Sequence, residues 1–178
     1  MIDDKKKKEA KSNFDRYLAD RLLKKEKNEI AKEMYLKNAE LSLQVADELS
    51  KSPLKPHIWV VVSSYYAMFY AANAVLLNLG YKTQDKIVHQ VTNDALIVLV
   101  LHRLKKELLE DYEALRNDAL EIASNKADEV IESYGSELGK RSRFQYDMLE
   151  EAKESKAKTS LKRAREFVFE MRKLMRQE

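Results

Sequence analysis

Apolar residues recur at helical spacing along most of the chain, and one stretch departs from that rhythm by being apolar on nearly every side. Residues 57–102 carry only four Asp, Glu, Lys or Arg residues, Lys82, Asp85, Lys86 and Asp94, while the segments before and after are crowded with charge. A segment that cannot face water on most of its circumference has to be covered by other elements, so the flanks are predicted to pack around it. Its centre, SSYYAMFYAANAVLL, interleaves aromatic rings with Ala and Ser. That mixture suggests helices in close approach, with hydroxyls and an amide held inside.

The same patterning predicts the remaining elements. Residues 1–12 are charged and lack periodic apolar positions, which reads as a solvated, flexible tail ahead of one helical domain over 13–178. A short helix is expected at 13–24, with Phe14, Tyr17, Leu18 and Leu22 on one face. A longer one is expected over 28–49, where Ile30, Met34, Leu41, Val45 and Leu49 recur at helical spacing beside Ala31, Ser42 and Ala46. Pro53 and Pro56 mark a break. The next helix runs over 56–79 and stops at Gly80, which suits a left-handed C-terminal position. A helix capped by Thr83 or Asp85 continues to Leu101. Leu104, Leu108, Tyr112, Leu115, Ala119, Ile122, Val130 and Tyr134 then form one amphipathic series ending near Gly135. Residues 135–156 read as an irregular loop, followed by a last helix over 158–176. No segment reads as a strand. The fold class is therefore all-α, an antiparallel up-and-down bundle of four to five long helices.

Composition supports that reading. Three Gly and two Pro in 178 residues, with 35% charged residues, favour long helices over tight turns. The formal charge of +3 neither requires nor excludes nucleic acid. The absence of Cys removes disulfides, thiolate catalysis and Cys-rich zinc sites. No apolar segment follows the basic N-terminal run as in a secretory signal, and the polar residues in the apolar stretch argue against a membrane span. A cytoplasmic protein without membrane contact is expected.

Several chemistries fail on counts. The residues three before each His are Leu54, Lys86 and Leu99, so the Glu-x-x-His pairs of a di-iron bundle are missing. The three His are dispersed, there is no phosphate-binding Gly-rich loop, and no metal or cofactor is expected. Two constellations remain. Lys140, Arg141 and Arg143 are interleaved with Phe144 and Tyr146 and followed by Asp147, a set suited to holding a phosphate and stacking a base, or else to anchoring a solvated turn. Tyr65, Tyr66, Tyr70 and Asn73 either satisfy one another inside the bundle or, with Tyr66 and Tyr70 one turn apart, line a cleft. His89 is expected to be a hydrogen-bonded core residue, with a cleft position as its alternative.

Taken together, YYAMFYAA at 65–72, Gly80, His89 in KIVHQVTNDAL, RFQYD at 143–147 and the closing AKTSLKRAREFVFEMRKLM resemble the HEPN domain family, in particular its small stand-alone prokaryotic and archaeal branch. The likeness covers residues 28–176. It implies an antiparallel bundle, usually a homodimer, and often a neighbouring minimal nucleotidyltransferase as partner in a toxin–antitoxin pair. Active members of that family carry Arg-x(4–6)-His and cleave RNA without metal, His exchanging protons while Arg stabilises phosphoryl charge. No Arg in this chain has a His at that offset. Tyr146 is a weak base at an ordinary pKa of about 10, and Asp147 repels phosphate. The resemblance therefore implies a catalytically degenerate protein that binds RNA or nucleotide through Arg141, Arg143, Phe144, Tyr146 and Asp147, with Tyr66, Tyr70, Asn73 and His89 as cleft residues. The alternatives are an active ribonuclease toxin with a non-standard base, and a purely structural dimerisation module.

Overall fold

The computed structural model describes residues 2–84, 87–133 and 143–176, with side chains described at 2–84, 87–122 and 153–176. Six α-helices account for most of these residues: α1 Asp4–Ala19, α2 Glu29–Lys51, α3 His57–Asn78, α4 Val88–Leu99, α5 Lys106–Ser133 and α6 Arg143–Met175. A short ribbon, β1 Leu23–Lys25 and β2 Tyr81–Thr83, joins the ends of α1 and α3. The chain is an all-α bundle.

The apolar stretch is the centre of that bundle. Helix α3 packs most extensively against α2 and α6, and also meets α4 and α5. Its Ala67, Ala71, Ala72 and Ala74 are fully buried, and α2 answers with Ala39 and Ala46, also fully buried. Small residues on both sides let the two backbones approach closely. Helix α6 contributes Leu161, Ala164, Phe167, Val168 and Met171, spaced at helical intervals, to the same core. Ion pairs Arg165–Asp47 and Arg172–Glu40 run α6 antiparallel to α2. Arg163–Asp111 and Lys156–Asp118 do the same for α6 and α5. Among the described residues one helix, α3, is long and apolar enough to cross a membrane, and most of it is buried under its neighbours.

Gly80 ends α3 at φ +81°, its N–H bonded to the Leu77 carbonyl, as a left-handed stop requires. The chain then enters β2, which pairs antiparallel with β1, Leu23 opposite Thr83 and Lys25 opposite Tyr81. Sequence periodicity predicts no strand here, and three residues are too few to establish an alternation. The ribbon forms because Leu23 is buried at the end of α1, and Lys82 and Glu26 pair across it at 2.8 Å.

Three further expectations are corrected. The charged N-terminus is no solvated tail: Asp3 caps α1 by accepting from the Lys6 N–H at 2.8 Å, and Lys is a good helix former. Ile2 is buried, its N–H donates to Glu110, and Lys6 pairs with Glu113. Secondly, α4 starts at Val88 behind a left-handed Ile87 with no side-chain cap. Thr83 lies in β2 instead, and Asp85 is outside the described residues. Thirdly, the last helix begins at Arg143, fifteen positions before the expected start, so part of the segment read as a loop is helical.

The apolar stripe of α2 is the largest surprise. Ile30, Met34, Leu41 and Val45 are 83%, 54%, 55% and 40% exposed. The fully buried positions of α2 are its small residues Ala39 and Ala46, which allow the close approach to α3, with Leu43 and Leu49 partly buried against the core beside them. Ile30, Met34, Leu41 and Val45 are left pointing outwards.

Candidate functional site in the cleft between α3, α4 and α5

Among the described residues, α3, α4 and α5 enclose a pocket of about 180 Å³. Ile58, Trp59, Val62, Tyr65 and Tyr66 line it from α3, His89 from α4, and Ala119, Leu120 and Ile122 from α5. Helical spacing explains the α3 wall, since Trp59, Val62 and Tyr66 fall on one side of the helix and Tyr65 turns inward beside it. The wall is mainly apolar and aromatic. Tyr66 and Trp59 are partly open to solvent, at 38% and 54% exposure.

His89 is the polar centre of this wall. Its ring lies 4.7 Å from Phe69 and 5.5 Å from Tyr65, with Tyr66 edge-on at 6.4 Å. Burial and the positive charge of Arg116 both lower its pKa below the ordinary value, so the imidazole is held neutral. The Tyr65 oxygen is 2.6 Å from His89 Nδ1. Burial raises the Tyr65 pKa, so the phenol keeps its proton. A neutral imidazole bonded through Nδ1 leaves Nε2 as its second polar atom.

Behind the wall lies a polar network. Arg116, on α5, is only 8% exposed; it donates to Gln90 Oε1 at 3.3 Å and to Asn117 Oδ1 at 3.0 Å. Gln90 in turn donates to Asp94, which also accepts from Tyr17 and Asn13, each at 3.0 Å. This network ties α1 to α4 and α5. Tyr112 is fully buried and stacks on Phe167 at 5.3 Å. Its hydroxyl has no well-formed hydrogen bond, although the Tyr65 phenol lies close enough to raise its pKa further.

The cleft residues proposed from sequence divide between two roles. Tyr66 and His89 line the pocket. Tyr70 does not; it stacks on Tyr35 of α2 at 6.0 Å. Asn73 is buried, donating to the Phe69 carbonyl at 2.9 Å and accepting from Thr83 at 2.7 Å, so it joins α3 to the ribbon. Arg141 lies outside the described residues. Arg143, Phe144, Tyr146 and Asp147 fall in the first turns of α6, with side chains outside the described set. Sequence reasoning missed Arg116, a charged residue at helical spacing from Tyr112 and Ala119 on an otherwise apolar face. That placement was the available signal.

No family model, curated protein or solved structure matches this chain. Function therefore has to be argued from the pocket. Among the described residues no group of three or more His, Asp or Glu converges to hold a metal ion. The pocket falls below the roughly 300 Å³ at which sites for drug-sized ligands begin. It has room for one flat ring system, with aromatic faces to stack on it and the neutral His89 to hydrogen-bond to it.

Proposed function

We propose that the chain is a HEPN-like helical protein that binds RNA or a nucleotide, the base entering the pocket between Tyr66 and His89. The observation that carries this reading is the pocket itself: an aromatic wall, a neutral imidazole held by Tyr65 and a buried cation behind it. Every base offers a π-face, so such a wall binds without strict sequence preference. Arg141 and Arg143 are the proposed phosphate contacts, with Phe144 and Tyr146 as further stacking groups and Asp147 beside them. The chain is a catalytically degenerate, cytoplasmic component of a toxin–antitoxin type pair, its partner a nucleotidyltransferase. The resemblance at 65–72 and 143–147 supports these parts of the reading.

Calorimetry with AMP, UMP and a short oligoribonucleotide in EDTA tests the binding step. Base stacking is worth about 1–3 kcal/mol per base, so Tyr66→Ala is expected to weaken binding by roughly five- to 150-fold. Unchanged affinity in that variant removes the pocket from the reading.

A second reading, a metal-independent ribonuclease, is favoured by one relationship. Arg116 acts electrostatically on His89, so an Arg and a His absent as a linear motif are brought together in space. Labelled RNA in EDTA separates the two readings. Intact RNA supports the binding protein, whereas cleavage abolished by His89→Ala establishes the enzyme.

A further inference from the structure

Tyr66 is the last residue of α3 that lines the pocket, and the aromatic surface does not end with it. From Ser64 to Leu77 only Tyr66 and Tyr70 are not buried. Their rings lie 5.9 Å apart, one turn along the helix, and Tyr35 of α2 stacks on Tyr70 at 6.0 Å. Three rings in contact therefore lead from the mouth of the pocket towards the end of α3 that carries the ribbon. Tyr66 and Gly80 are about 21 Å apart along the helix axis. The ribbon is where positive charge collects. Residues 20–28 and 81–83 hold five cations and two carboxylates, a net +3 that equals the formal charge of the whole chain. Lys24 sits directly opposite Lys82 in the strand register. Like charges facing each other across a strand pair cost stability, so the packing of the ribbon does not account for them. Glu26 pairs with Lys82, whereas Arg21, Lys24, Lys25 and Lys27 are exposed and form no ion pair among the described residues. The Lys27 stem lies beside Gly80, where the aromatic row and the ribbon meet.

We infer that the ligand is a single strand of RNA rather than a mononucleotide. One base enters the pocket, the following bases stack along Tyr70 and Tyr35, and the backbone reaches the cations of the ribbon. Aromatic platforms for successive bases, together with a positively charged track for the phosphates, are the two features that single-strand binding uses. A mononucleotide reaches neither Tyr35 nor the ribbon. A duplex offers the tyrosines no free base face, because its bases already cover one another. That path rests on the nucleotide reading of the pocket and extends it to a second surface, the ribbon, with a role in binding that the pocket does not share.

Calorimetry of the full chain across a salt series, with UMP and with an oligouridylate of about eight nucleotides, tests the path. The oligomer is expected to bind more tightly than UMP by at least the roughly five- to 150-fold of one further stacked base. For a single strand, log K falls against log salt with a slope of about 0.7 per phosphate neutralised. The Lys24→Gln/Lys25→Gln/Lys27→Gln variant changes only exposed side chains and should flatten the oligomer slope by about 2 while UMP affinity stays unchanged. Tyr70→Leu keeps an apolar side chain against α2 and should weaken the oligomer alone. An oligomer that binds no more tightly than UMP overturns the inference and leaves the pocket reading standing. So does an unaltered salt slope in the lysine variant, or equal affinity for a duplex of the same length. Failure of the pocket reading looks different: Tyr66→Ala then leaves the affinities of both ligands unchanged.

Discussion

The Tyr65 hydroxyl and Nδ1 of His89 share a 2.6 Å hydrogen bond, joining the central helix α3 to α4 at the wall of the pocket. One bond therefore bears both on the packing of two helices and on the tautomer that the pocket presents. Removing it by Tyr65→Phe leaves a half-buried nitrogen without its partner. A loss of about 1 kcal/mol in unfolding free energy is expected. Nitrogen-15 correlation spectra should show one His89 tautomer in the native chain and a mixture of both in the variant.

The pH dependence near neutrality follows from the same histidine. Burial and Arg116 lower the pKa of His89 below 6.5, so below that pH the unfolded chain takes up a proton that the folded chain resists. Its contribution to stability is full above pH 6.5 and is lost as pH falls towards the lower folded value. Urea midpoints measured from pH 8 to pH 5 should decline, and His89→Gln should flatten that decline.

Alkaline behaviour is set by three buried phenols. Tyr17 is pushed up to about 12, by burial first and then by the charge of Asp94, while Tyr65 and Tyr112 are raised by burial. A raised pKa stabilises the fold below the ordinary value of 10 and withdraws that support as pH climbs through the folded value. Absorbance at 295 nm should show these tyrosines ionising late, together with loss of helix between about pH 10 and pH 12.

Asp94 gathers donors from Tyr17, Asn13 and Gln90 at a position only 4% exposed. Asp94→Ala strands all three donors, and a destabilisation of roughly 2–4 kcal/mol is expected. Because two of those donors sit on α1, hydrogen exchange should rise in α1 before it rises in α3.

Gly80 holds φ at +81°, and a Cβ added there meets nothing nearer than Lys27 at 3.9 Å. Gly80→Ala therefore tests backbone strain without steric interference. A loss of about 1–2 kcal/mol is expected in a urea titration, with no change in the pocket.

Much of the bundle was legible because helices declare themselves locally. The apolar run over 57–102, Pro56 ahead of it and Gly80 within it were enough to place α3, and the spacing of Leu161, Ala164, Phe167, Val168 and Met171 placed the core face of α6. The β1–β2 ribbon was not legible, since each strand is three residues long and its pairing joins positions some sixty residues apart. The helix over the N-terminal lysines was also hidden, because its anchoring depends on Glu110 and Glu113 of α5, which no local pattern reveals.

Apolar periodicity alone requires a helical bundle around residues 57–102, and the residue types mark Tyr65, Tyr66 and His89 as unusual core chemistry. What surrounds those side chains is a matter of how the helices pack. Whether a buried Tyr is packing or pocket depends on which neighbour meets it: Tyr70 stacks on Tyr35, while Tyr65 meets His89. The direction of the α2 stripe was likewise a tertiary choice. Helical periodicity shows that two faces differ, but the closeness of α2 to α3 selects the small-residue face for the core and turns Ile30, Met34, Leu41 and Val45 towards solvent.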